Sequence, residues 1–287
     1  MLPSFFVSDL HGRTGRYQTL FDLVRQEIPR GVFFGGDLLP HGMDTAWQTA
    51  GDQHDFLQDF FLPELRRLKN DLGADYPQIF VILGNDDPRF HEETLLTGET
   101  EGLLHYVHGQ KVAYESFMVY GYSCIPPSPF QLKDWERYDV SRFVDPGCVS
   151  PEEGRRTAGP EGREIRFTTI AEELVALTAD DDLTSAICLF HCPPYGCNLD
   201  RAALDGKKVD HVPLDVHIGS IAIQKFIAKK QPLLTIHGHV HESRTLTGEW
   251  RDRFGRTVSL SAATEKPGLA LVRFDPHDPE AASREIL

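Results

Sequence analysis

Five short segments of the chain carry side chains suited to holding cations: Asp9-Leu10-His11-Gly12, Gly35-Gly36-Asp37, Gly84-Asn85-Asp86-Asp87, His191, and His237-Gly238-His239-Val240-His241. Carboxylate and amide oxygens mixed with imidazoles, and no thiolate among them, favour manganese, iron or zinc over a soft-metal or iron-sulfur site. Two such cations about 3.5 to 4 Å apart can clamp an in-line displacement at phosphorus, supplying a hydroxide on one side and stabilising oxygen charge on the other. A centre of that kind needs several ligands per cation and one carboxylate that touches both. Asp9, His11, Asp37, Asn85, His191, His239 and His241 would meet the requirement.

Each segment follows an apolar run, in order Phe5-Phe6-Val7, Val32-Phe33-Phe34, Ile79 to Leu83, Ile187 to Phe190, and Leu233 to Ile236. Runs this short and this apolar read as buried strands, so the donors would sit at strand ends. The alternation of a strand running out into His239 and His241 would put both on one side of the chain. A lone aspartate or histidine at a strand end is ordinarily a cap or a turn residue, and it is the joint occurrence that carries the metal reading. His41, His54, His105, His108, His211, His237 and His277 match none of these positions and read as ordinary polar residues.

In order and form the motifs resemble the calcineurin-like metallophosphoesterase superfamily, whose pattern is Asp-x-His, Gly-Asp, Gly-Asn-His-Asp/Glu, a lone His and Gly-His-x-His. The matches are Asp9-Leu10-His11, Gly36-Asp37, Gly84-Asn85-Asp86-Asp87, His191 and Gly238-His239-Val240-His241, spanning residues 9 to 241. The resemblance implies an α/β fold, a four-layer α-β-β-α sandwich of two facing mixed sheets with metals at the strand carboxyl ends. It implies two divalent ions, manganese favoured over iron or zinc. Asp9, His11 and His241 would hold the first, Asn85, His191 and His239 the second, and Asp37 would bridge. The implied reaction is hydrolysis of phosphate mono- or diesters of small molecules by a metal-bound hydroxide. The alternative is a catalytically silent scaffold of the same fold.

One position departs from the pattern. Where the family often has a histidine that protonates the leaving group, this chain has Asp86. An aspartate of reference pKa about 3.9 is a poor acid at neutral pH. The expected role of Asp86 is to orient water or substrate, with the proton coming from His217, His91 or water, or with esters whose leaving groups need little help. Arg13 and Arg89, just past the first and third motifs, are candidates for pairing with phosphate oxygens, as are the backbone N–H groups after Gly219-Ser220.

The elements that must position these groups alternate as β-α-β from the start. Tyr17, Leu20, Phe21 and Val24 fall at helical spacing between Arg16 and Gln26. Phe56, Leu57, Phe60, Phe61, Leu65 and Leu68 form an apolar stripe between Gln53 and Leu72, which Pro63 would bend or restart. Val112 to Tyr120 reads as a hairpin, Thr169 to Thr178 as a helix, Ser220 as the cap of a helix over Ile221 to Lys229, and Thr257 to Leu260 and Gly268 to Val272 as strands. Residues 124–163 are broken by prolines and glycines into a long irregular excursion. Within it Asp134-Trp135-Glu136-Arg137 reads as a surface turn, with a substrate-facing run as the alternative. A single domain over residues 1–287 is the expected organisation.

Composition bounds the rest. In 287 residues, 40% hydrophobic and 25% charged, the profile is that of a globular protein. The balance of 29 basic against 43 acidic residues, −14 with histidine neutral, repels long nucleic acids and anionic membranes. That leaves small phosphorylated molecules as the expected partners. Five cysteines without a CxxC pair point to reduced thiols. With no secretory leader or membrane-length apolar stretch, the expected location is cytoplasmic.

Overall fold

The computed structural model of the chain describes residues 3–40, 55–158 and 162–287, with the side chains of 162–164 left aside. His41, His54 and the start of the stripe at Gln53 lie outside the described residues. The first strands are β1 (Ser4–Val7), β2 (Gly31–Gly35), β3 (Gln78–Ile82), β4 (His105–Tyr106), β5 (Lys111–Tyr114), β6 (Phe117–Tyr122) and β7 (Ala186–Phe190). A short ribbon, β8 (Lys208–Val209) with β9 (Val212–Pro213), precedes β10 (Leu234–His237), β11 (Arg251–Phe254), β12 (Thr257–Ser261), β13 (Ala270–Asp275) and β14 (Asp278–Ile286). The helices are α1 (Thr14–Glu27), α2 (Leu62–Leu72), α3 (Glu92–Thr100), α4 (Gly162–Phe167), α5 (Ile170–Thr178), α6 (Ile221–Lys230) and α7 (Ser243–Thr247).

Two mixed six-stranded sheets form, in the orders β14-β13-β1-β2-β3-β4 and β11-β12-β10-β7-β6-β5. Period-two alternation sorts their side chains into layers. Phe6, Phe33, Phe80 and Ile82 of the first sheet meet Val119, Ile187, Leu189, Leu234 and Ile236 of the second in one buried cluster. The intervening residues Phe5, Val7, Val32, Phe34, Ile79 and Val81 face the other way, in a cluster with Tyr17, Leu20 and Leu65 of the helices. Tyr120, Cys188 and Phe190 do the same with Leu174 of α5 and Ile223 and Ile227 of α6. The result is the expected α-β-β-α sandwich.

β1, β2 and β3 run parallel, as do β6, β7, β10 and β12. Their carboxyl ends therefore collect along one edge, and it is there that the five motif segments leave their strands. Ser220 caps α6 by accepting the N–H of Ile223, and Thr169 closes a capping box with Glu172 at α5. The stripe before Leu72 is not one straight helix: a π turn over Leu57–Phe61 runs into α2, with Pro63 in its first turn. β14 has no counterpart among the expected strands. It pairs with β13 as an edge strand, its charged residues largely exposed.

Candidate metal centre

The first two motif loops are laced together by backbone. Asp9 N–H donates to Gly36 O at 2.9 Å, His11 N–H to Asp37 O at 2.9 Å, and Gly12 N–H to Leu38 O at 2.7 Å. Holding that register puts Asp9, His11 and Asp37 in the left-handed region, at φ 57°, 47° and 53°, and His239 joins them at 74°. Non-glycine residues there cost energy, and such strain gathers at functional sites. Two glycines let the loops close. A Cβ at Gly84 would collide with the Asp37 carboxylate, and one at Gly238 with Ser8 Oγ and Asp9 Oδ2.

The converging side chains form two groups. Asp9, His11, Asp37 and His241 bring one ligand atom each to within 4.8 Å of one another, and Asp37, His191 and His239 do the same. Asp37 is common to both. Asn85 joins the second group, its Oδ1 lying 2.9 Å from His191 Nε2. The last two histidines divide between the two groups, neighbouring points that share Asp37. β10 ends at His237, and the turn at His239 sends it to one group while His241 reaches the other.

The donor chemistry of the cluster fits cations. His191 Nδ1 lies 2.7 Å from Gly35 O and so carries its proton, while Nε2 faces two acceptors, Asn85 Oδ1 at 2.9 Å and Asp37 Oδ2 at 3.4 Å. His241 Nε2 likewise lies 3.1 Å from Asp9 Oδ1 and 3.2 Å from His11 Nε2. Nitrogen lone pairs and carboxylates aimed at shared points need positive charge between them, from a proton or from a metal. Without a metal the protons supply it. Burial opposes charging His191, but Asp37 outweighs it and pushes the imidazole up to about 10. Burial opposes His241 too, yet its bond to Asp9 lifts it to about 9. Burial works against ionising Asp9, and the His241 bond and nearby imidazolium charge overcome it, holding the carboxyl down to about 2. Asp37 is held far below the usual range by His191 despite the same burial. Burial drives His239 down to about 3.

Residues 2–243 match the family model described as calcineurin-like phosphoesterase. The chain belongs to that family. Solved structures of similar fold include TT1561 of Thermus thermophilus, 13% identical, with 99% of this chain and 98% of that one covered at a TM-score of 0.57. A dimetal phosphatase from Danio rerio is also 13% identical, with 94% and 92% covered at a TM-score of 0.50. At such identities the likeness is one of fold. None of the curated proteins is significantly similar to the sequence.

Around this calcineurin-like centre stand residues whose part the sequence hid. Asp87 is fully buried and accepts the N–H groups of Leu38, Leu39 and Gly84 at 3.0, 2.8 and 2.9 Å, tying the second motif loop to the third. Burial and the nearby Asp37 push its carboxyl up to about 7. Arg16, only 6% exposed, donates to the carbonyls of Asp9 and Lys266 at 2.6 Å each and so holds the backbone of the first motif. The available signal was its place four residues before Leu20, on the apolar side of α1.

The remaining predicted residues divide. Asp86 is at the cluster: its N–H donates to Asp37 Oδ1 at 2.8 Å and its carboxylate stands 3.9 Å from His11 Nδ1. Arg13 is exposed just before α1. His217, partly exposed, bonds through Nδ1 to the buried Asp200 at 2.7 Å, an anchor that also gathers the N–H groups of Gly196, Cys197 and Gly219. Arg89 Nε donates to Glu92 at 2.6 Å and its guanidinium lies over the Trp135 ring at 4.8 Å, while Nη1 is buried without a hydrogen-bond partner. His91 Nδ1 is held 3.6 Å from Asp55 beside the ring of Phe90 and belongs to neither group. The N-terminus of α6 does not wait for an anion, because Asp139 accepts the N–H groups of Ile221 and Ala222.

The run Asp134-Trp135-Glu136-Arg137 is not a surface turn. All four residues are buried. Trp135 Nε1 donates to Asp87 O at 2.8 Å, and Asp134 accepts from Arg89 N–H and Thr157 N–H at 2.8 Å each. The described part of the excursion is thereby bolted to the third motif.

Proposed function

We propose that the protein hydrolyses phosphate esters of small molecules using two divalent cations, and we take all 287 residues as one domain. The observation that carries the reading is the membership of Asp37 in both ligand groups. Asp9, His11 and His241 would hold one cation, Asn85, His191 and His239 the other, with Asp37 between. The metals, manganese foremost, would supply Lewis acidity toward the phosphoryl oxygens and lower the pKa of water. The chain's own part is orientation. Gly35 O fixes the tautomer of His191 so that Nε2 points inward, Arg16 keeps Asp9 in place, and Asp87 fixes the spacing of the second and third loops.

Among the described residues no helix is long and apolar enough to cross a membrane. Asp86 orients water or substrate, and His217, braced by Asp200, is the proposed source of the leaving-group proton. Metal analysis with a panel of aryl mono- and diesters after manganese addition tests the reading. Two divalent ions per chain with turnover are expected. Metal without turnover would favour a silent scaffold, and absence of metal binding would end the proposal.

A further inference from the structure

We infer that the basic corner formed by Arg13, Arg244, Lys266 and Arg284 binds a second phosphoryl group of the substrate, so that the preferred esters carry two phosphates joined by a short organic spacer. The inference rests on the phosphoesterase reading and adds to it the class of substrate.

The four side chains come from separate segments that meet at the sheet edge holding the ligand groups. Arg13 directly follows the first motif, and Arg244 lies in α7, just past His241. Lys266 stands on the loop after β12, whose last residue, Ser261, pairs with His237 at the end of β10. β14 runs in the direction of β1, since both are antiparallel to β13, and Arg284 is in register with Val272 and through it with Phe6. Hydrogen bonds close the corner. The Arg16 guanidinium spans the carbonyls of Asp9 and Lys266 at 2.6 Å each, Thr245 Oγ1 donates to Glu265 Oε1 at 2.6 Å, and Arg284 Nη2 donates to Ala263 O at 2.8 Å. The loop is thus held against the first motif on one side and against α7 on the other.

Arg13, Arg244 and Lys266 are exposed and Arg284 partly so. Among the described residues none of the four pairs with a carboxylate, whereas Arg25, Arg66, Arg137 and Arg273 each do. Glu265, the carboxylate of this loop, is taken by Thr245. Arg284 Nε is buried with no hydrogen-bond partner. Burial, and then the charge of Arg244, push that guanidinium down to about 10. In a chain of net charge −14, cations gathered without counter-ions are complementary to an anion from outside.

The two divalent ions belong in the balance. They bring more charge than Asp9, Asp37 and Asp86 remove, and so account for one phosphoryl group at the centre. At the corner their field has the same sign as the guanidinium groups and adds to the attraction for a second anion. A phosphoryl group suits that place better than a carboxylate, because it carries close to two charges above its second pKa near 6 and offers three acceptor oxygens to the forked guanidinium groups.

The test uses the manganese-loaded full chain at pH 8. Phosphonates are not cleaved at their C–P bond, so they report binding apart from turnover. By calorimetry, propane-1,3-bisphosphonate should bind about tenfold or more tightly than propylphosphonate, with a gain that shrinks as salt is raised, and 4-phosphonobutanoate should gain less. Arg244→Ala and Lys266→Ala should each cut the gain about threefold, and the double variant should bring it near unity. Lys229→Ala, an exposed cation near the C-terminus of α6, should leave it as in wild type. The ratio of kcat/KM for propane-1,3-diyl bis(phosphate) to that for propyl phosphate should fall in the same order. Equal affinity for bis- and monophosphonates across spacers of two to six carbons, an equal gain from the carboxylate probe, or a full gain in the double variant would overturn the inference. Binding of neither phosphonate, with turnover of neither ester, would remove the phosphoesterase reading itself.

Discussion

Two regions bury charge at the heart of this molecule, and they do it in opposite ways. At the strand ends, Asp9, Asp37, His191 and His241 point acceptors and imidazole nitrogens at common points, so their own hydrogen bonds leave a need for added positive charge. In the excursion, the equally buried Lys133 and Glu136 satisfy each other. Lys133 Nζ donates to Glu136 Oε2 at 2.5 Å and to Ser128 O at 2.8 Å, and Ser128 N–H and Oγ–H fill the remaining sites on the carboxylate. Ion pairs stay buried when every partner is present. The difference separates a site from a brace: convergence without closure calls for a ligand, and closure without convergence holds a loop.

The contrast can be broken most severely at Asp37. Asp37→Ala should remove the residue common to both groups and lower turnover by about a thousandfold or more, with metal content falling and the circular dichroism of the fold retained. In the brace, Glu136→Ala leaves a buried ammonium unpaired and should cost about 3 to 5 kcal/mol in denaturant unfolding while metal stoichiometry holds. Replacing the pair together, Lys133→Met with Glu136→Leu, should recover most of that loss. Unchanged stability in Glu136→Ala would erase the distinction drawn between the regions.

Metal addition sharpens it from the other side. Divalent ion at about a hundred times its Kd should stabilise the native state by about 2.7 kcal/mol per site, reversed by chelator, in wild type and in the double variant alike. A further effect is expected in pH. Burial pushes the Glu136 carboxyl up to about 7 against an ordinary value of 4.5. The native state therefore binds the extra proton in that window, so this group's contribution is fully present below 4.5 and lost as pH rises through 7. The stability profile of the double variant, measured by urea unfolding across that window, should lack this component.

How far these regions could be read from the sequence follows from the same contrast. Strand ends announced themselves because apolar runs such as Phe5-Phe6-Val7 break abruptly into Asp9 and His11, and five such breaks in order leave few alternatives. The excursion gave no such signal. Proline and glycine hide its register, and Asp134 to Arg137 look polar along the chain although their partners, Asp87, Arg89, Thr157 and Glu173, lie far away in sequence. β14 escaped for a related reason. A charged edge strand has little apolar periodicity of its own and is defined by its pairing with β13.

By itself the sequence determined the layered alternation of strands, the helix cap at Ser220, and the donor types arriving at one sheet edge, because all of these depend on residues a few positions apart. Only the tertiary structure decided that Arg16 clamps Asp9, that Asp139 occupies the N-terminus of α6, and that the 133–137 segment is interior. Those outcomes depend on through-space meetings of distant segments. No local pattern of side chains encodes them.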